Sequence, residues 1–100
     1  MLIVIGTAQL GDGAIEAGHD ALKAMITASR EEEGCIAYGY AVDILDPAIM
    51  RITEKWVDEA ALVAHFQTPH MAAFQKALGE LDISIIDVKK FQADDGAPLM

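Results

Sequence analysis

Apolar and polar positions follow two different periods along this chain. Residues 2–10 form a nearly continuous apolar run around Ile3, Val4 and Ile5, and it stops at Gly11-Asp12-Gly13. A short β-branched run closed by a glycine-rich turn predicts a strand. From Ala14 to Ser29, positions Ile15, Leu22, Met25 and Ile26 recur at helical spacing, and the alanine and glutamate content supports an amphipathic helix. His19 stands four residues after Ile15 and three before Leu22, which predicts a packed histidine on the buried stripe. Glu31-Glu32-Glu33 and Gly34 end this helix. Acid opposes the macrodipole at a helix C-terminus, so the triplet is expected just beyond the last turn, on the solvated exterior.

Strict alternation takes over from Cys35 to Asp43. Ile36, Tyr38, Tyr40 and Val42 fall on one face, and Cys35, Ala37, Gly39 and Ala41 on the other. Asp46-Pro47 makes a turn. Ile49 to Val57 is a third strand, with Met50, Ile52, Glu54 and Trp56 opposite Arg51, Thr53 and Lys55. Asp58 can cap a helix carrying Leu62, Val63 and Phe66; Thr68-Pro69 interrupts it and starts a second piece with Met71, Phe74, Leu78 and Leu81. Ile83 to Phe91 is a fourth strand. The order βαββαβ predicts an α+β, ferredoxin-like fold with a four-stranded antiparallel sheet. Residues 1–92 form a single domain, and 93–100 a loose acidic tail.

Two helical regions can cover one face of such a sheet. Yet the first strand has Ile3 and Ile5 opposing Leu2 and Val4, and the last has Ile83 and Ile85 opposing Ile86 and Val88. A wet second face calls for stricter alternation. The surplus predicts a homodimer formed by sheet-on-sheet packing.

Composition narrows the function classes. Among 100 residues, 53% are apolar, and 16 acidic against 7 basic side chains leave a net charge of −9. Apolar content of that size excludes an acidic disordered tail, and the charge opposes nucleic-acid binding. The single Cys35 cannot form an intramolecular disulfide. The opening apolar run is too short to span a membrane and lacks the basic flank of a leader. A cytoplasmic protein without a membrane or nucleic-acid partner is the expectation.

Glu54 is the sharpest anomaly, a carboxylate between Ile52 and Trp56 on an apolar strand face. It either lines a cavity, where desolvation would fit it for proton transfer, or sits near a strand end paired with a Lys or Arg. Trp56, the one tryptophan, is a large core residue or a flat wall with an indole donor for an aromatic ligand. His65 lies on the flank of the apolar stripe and can move protons near neutral pH. His70 follows Pro69 in the first turn of the last helical piece. The histidines and Cys35 show no metal-ligand spacing. Glu16 occupies the third position that a dinucleotide fingerprint would give to glycine. Glu32 and Glu33 make a poor setting for a Cys35 nucleophile.

Together, Glu33-Gly34-Cys35-Ile36-Ala37-Tyr38, then Pro47, Glu54-Lys55-Trp56, Ala61-Leu62, His65, Thr68, His70 and Phe74 resemble the antibiotic biosynthesis monooxygenase family over residues 2–91. The resemblance implies a dimeric α+β barrel whose protomers each hold a pocket between sheet and helices. It further implies O2 chemistry on a small aromatic, quinol-type substrate without metal, flavin or other cofactor. Glu54, Trp56 and His65 would be the catalytic set, with Tyr38, Phe66, His70 and Phe74 lining the substrate site. The chain contains no Asn, whereas haem-degrading relatives resemble an Asn, Trp and His set, which disfavours haem oxygenation. Isomerisation of a small carbonyl metabolite by Glu54 and His65, with Lys23, Arg30, Arg51 or Lys55 for a phosphate, and a non-catalytic ligand-binding dimer are the other readings.

Overall fold

The computed structural model describes residues 1–100. Its elements are β1 (Leu2–Leu10), α1 (Ala14–Arg30), β2 (Cys35–Val42), β3 (Ile49–Trp56), α2 (Glu59–His65), α3 (Pro69–Leu78) and β4 (Ile83–Gln92). The strands form one sheet in the order β2-β3-β1-β4, and every neighbouring pair is antiparallel. This is the ferredoxin-like α+β fold, with the second helical region divided in two. The division has the anticipated cause. Thr68 is extended and its hydroxyl accepts from the Met71 N–H, while Pro69 fills the first helical position, where no donor is needed. Asp58 caps α2 in the same way, accepting from the Ala61 N–H at 2.8 Å.

The helices cover one face of the sheet. On β3, Met50, Ile52, Glu54 and Trp56 are buried beneath them, whereas Arg51 and Thr53 are exposed. Leu2, Val4, Ala8 and Leu10 of β1 join that layer. Helix α1 packs on it through Ala14, Gly18, Leu22, Met25 and Ser29.

Two readings of pattern are corrected here. The buried stripe of α1 runs through Gly18, so His19, one residue and about 100° further round, is exposed beside Asp20 instead of packed. Strand β2 does not alternate strictly, because its register against β3 shifts between Cys35 and Ala37. The irregularity places Cys35 opposite Trp56 and against the core, and leaves Ile36 exposed.

Strand β4 is uncovered: Ile85, Ile86, Val88 and Phe91 are exposed, as is Ile5 of the adjacent β1. The Met1 amino group donates to the Ala93 carbonyl at 2.8 Å, and the Ala93 N–H donates back to the Met1 carbonyl at 3.0 Å. Beyond that clamp residues 94–100 have no regular structure. No helix is long and apolar enough to cross a membrane.

Gly34 turns the chain from α1 into β2. Its φ of +87° is left-handed, and an added Cβ would lie 2.7 Å from the Ala61 Cβ and 3.0 Å from the Val57 Cγ2. The Gly34 carbonyl also accepts from the Val57 N–H at 2.9 Å, so this turn is stitched to the start of α2. Gly34→Ala is expected to lower unfolding free energy by about 2 kcal/mol through backbone strain and overpacking, read as a reduced urea midpoint. An unchanged midpoint would show that the turn relaxes freely.

Candidate active site

Glu54 lies at the centre of the sheet, opposite Tyr38 of β2 on one side and Val4 of β1 on the other. Alternation along β3 turns it to the helix side, where it is 8% exposed. A carboxylate there needs a donor, and Trp56 supplies one: its indole Nε1–H donates to Glu54 Oε1 at 3.0 Å. Burial pushes the Glu54 carboxyl above its ordinary range. The Trp56 hydrogen bond and the nearby His65 pull the other way, and the Glu32 charge adds to the rise.

A cavity of about 540 Å³ opens against this residue, a volume within the range of roughly 300–1,000 Å³ for small-molecule sites. Its floor is the sheet face, with Val4, Tyr38, Tyr40, Ile52 and Glu54. Its roof is α2 and α3, through Leu62, His65, Phe66, Met71 and Phe74 among others. Lys89 and Lys90 of β4 stand at its edge, where Lys90 Nζ meets Glu59 Oε1 at 2.5 Å. Tyr38 and Tyr40, two residues apart on one face, share a hydroxyl–hydroxyl hydrogen bond of 2.6 Å. Burial raises both phenols well above their ordinary range, so they remain neutral donors. The Tyr40 ring stacks on Phe74 with centroids 6.0 Å apart.

The structure therefore brings Glu54, His65, Tyr38, Phe66 and Phe74 to one cavity. Trp56 and His70 are not among its lining residues. Trp56 is fully buried behind it, packed 4.6 Å from the His65 ring between centroids, with its indole N–H spent on Glu54. His70 turns towards Glu32.

Glu32 is the residue that periodicity missed. Far from being solvated, its carboxylate is largely buried, and one oxygen, Oε2, lies 2.6 Å from His65 Nδ1 and 2.7 Å from His70 Nε2. The three groups offer donor atoms within 4.8 Å of one another, the set in this chain that could ligate a metal. As they stand, hydrogen bonds join them. The dipole argument applies equally to Glu31 and Glu33, which are exposed, so nothing local in the sequence singles out Glu32.

Other concavities lack an acid–base pair. Lys23 and Arg30 line a groove of about 450 Å³ between α1 and β2, whose one histidine is the exposed His19. Arg51 points to the other face of the sheet and binds Asp43 Oδ2 at 3.0 Å. None of the four cations considered for a phosphate lines the Glu54 cavity.

Because the folded protein holds the Glu54 carboxyl above its ordinary value of 4.5, its ionisation costs stability. That loss is absent below the ordinary value and grows as pH rises through the elevated one. Glu54→Gln keeps an acceptor for Trp56 but cannot ionise. Its urea midpoint is expected to fall less than that of the parent between about pH 4 and about pH 8. Parallel pH curves for the two proteins would contradict a desolvated Glu54.

Comparison with known proteins places this arrangement. The sequence pattern of antibiotic biosynthesis monooxygenases matches residues 1–77. A Synechocystis protein of uncharacterised role is 33% identical over 67 residues, covering 67% of this chain and 46% of its own. The Escherichia coli K12 protein named Probable quinol monooxygenase YgiN is 38% identical over 56 residues, covering 48% of this chain and 54% of its own. The chain thus spans about half the length of these relatives. A crystal structure of a candidate antibiotic biosynthesis monooxygenase from Deinococcus radiodurans superposes with TM-score 0.89 at 25% identity, covering 100% of this chain and 99% of that one. A Pseudomonas aeruginosa structure superposes with TM-score 0.75 at 32% identity, covering 96% and 94%. The chain belongs to the antibiotic biosynthesis monooxygenase family.

Proposed function

We propose that the protein is a cofactor-independent monooxygenase that uses O2 to oxidise a small aromatic, quinol-type substrate. The observation that carries this reading is one apolar cavity with both an acid, Glu54, and a base, His65, on its walls. The similarity to YgiN supports the substrate class. A hydroquinone becomes a strong reductant once it loses a hydroxyl proton, so the protein's work is to exclude water, take that proton and settle the developing charge. The stoichiometry needs no added reductant. A dihydroquinone and O2 give a hydroxyquinone and water, the substrate supplying both hydrogens of the water and receiving the other oxygen atom.

In this scheme His65 takes the hydroxyl proton. Glu54, held by Trp56, faces the substrate, and the Tyr38–Tyr40 pair offers a neutral hydroxyl towards oxygen-borne charge. Phe66 and Phe74 bracket the ring. His65→Ala is expected to lower oxygen uptake with a reduced naphthoquinone by about 100-fold, the usual scale of a lost general base. Uptake at the buffer rate across a hydroquinone panel would overturn the reading. Turnover of a phosphorylated carbonyl compound in its place would favour isomerisation by the same two groups, with Lys89 and Lys90 as the nearest cations.

The same reading includes a homodimer, supported by the exposed Ile5 and Phe91 on the uncovered side of β1 and β4. Sedimentation at micromolar concentration is expected to give twice the chain mass, and Ile5→Glu to return the monomer. A monomeric parent protein would remove this part.

A further inference from the structure

Proton abstraction by His65 leaves open which ring nitrogen acts, and Glu32 answers it. His65 Nδ1 and Glu32 Oε2 are 2.6 Å apart. A carboxylate only accepts, so Nδ1 carries the proton. A neutral imidazole then has a bare lone pair at Nε2. That nitrogen is the one polar atom of His65 that is buried without any partner. The ring is 1% exposed, so neither bulk water nor a ligand hydroxyl reaches Nε2 until the cavity wall around His65 yields. The Trp56 N–H is committed to Glu54 and the His70 N–H to Glu32, while the Tyr38 and Tyr40 hydroxyls share one hydrogen bond between them. A buried acceptor without a donor is destabilising, and a hydroxyl brought in by a ligand removes that cost.

We propose that Glu32 is a positioning residue that locks His65 in the Nδ1–H tautomer, with His70 as the second anchor of its carboxylate. The lock presents Nε2 as the receptor for the hydroxyl of an aryl alcohol or enol. Its catalytic meaning rests on the proposed oxygenation, whereas the tautomer itself is a property of the free protein. In the transfer, the ligand O–H bond breaks, the proton goes to Nε2, and the electron pair stays on the ligand oxygen. The imidazolium so formed lies directly against the Glu32 carboxylate, which stabilises it. The arrangement also explains why two histidines converge on one oxygen: two N–H donors fix the carboxylate's position and its role as acceptor.

Nitrogen-15 NMR of the histidines tests the lock without any turnover. In the free protein His65 is expected as Nδ1–H with unprotonated Nε2, and Glu32→Ala is expected to bring in the Nε2–H tautomer that an unconstrained histidine side chain prefers. Added 2-naphthol is expected to move the His65 Nε2 resonance, whereas naphthalene is not. Its affinity should fall by about tenfold in Glu32→Ala, the worth of one charge-assisted hydrogen bond. Should that variant not fold, Glu32→Gln keeps an acceptor but not the charge, and predicts an unchanged tautomer with about tenfold slower oxygen uptake. An Nε2–H tautomer in the free parent protein overturns the proposal. So does 2-naphthol that fails to bind at millimolar concentration, or binds without moving Nε2. Failure of oxygen uptake with the tautomer and naphthol results intact would remove the oxygenation reading and leave the lock standing.

Discussion

One oxygen atom, Glu32 Oε2, joins three separate stretches of chain. It accepts from His65 at the end of α2 and from His70 at the start of α3, and it hangs from the turn between α1 and β2. The short α2 cannot hold itself in place by helix propensity, since seven residues are too few to be stable alone. Its position comes from Leu62 in the core, the Asp58 cap and this carboxylate. A buried, charge-assisted pair of hydrogen bonds is directional where apolar contact is not. It therefore fixes the angle of the His65 ring as well as the height of the helix over the sheet. The roof of the cavity depends on it.

Trp56 has a parallel task from below. It occupies the alternate β3 position beside Glu54, so backbone geometry alone brings indole and carboxylate onto the same face. The indole donor satisfies Oε1 without neutralising the carboxylate, and its bulk fills the space behind Glu54 and His65. Replacing it with another large apolar group would keep much of the volume but leave Glu54 without its donor. Its value to the site is thus indirect, although composition singles it out as the residue to stack on a ligand.

The elements and the acidic anomaly on β3 were legible because each rests on local periodicity. Met50, Ile52, Glu54 and Trp56 share a face in any regular strand, and Thr68-Pro69 breaks a helix by local chemistry. Three things were not legible for related reasons. The β2 irregularity shifts register by one residue and leaves no mark in an alternating pattern, so Cys35 and Ile36 changed places. His19 satisfies the i+4 rule from Ile15, but the buried stripe runs through small Gly18, against which the Leu81 side chain lies. Glu32 meets residues 33 and 38 positions away, and such pairing appears only when α2 and α3 fold back over the α1–β2 turn.

Access to the cavity follows from where these interactions are strong and where they are weak. The floor and inner wall are held by a fully buried indole, a shared carboxylate oxygen and a paired set of tyrosines. At the mouth stands one ion pair, Lys90 with Glu59, each side chain about half exposed. Such pairs contribute roughly 0–1 kcal/mol and are screened by salt. Opening the mouth is therefore cheap, whereas rotating His65 or displacing Glu54 breaks buried hydrogen bonds. Strand β4 reinforces the contrast: it pairs with β1 alone and carries an irregularity at the level of Thr7 and Ala8. The fold thus keeps Glu54 and His65 on the rigid central strand and the clamped helix, and leaves its weakest contacts at the exposed edge of the cavity.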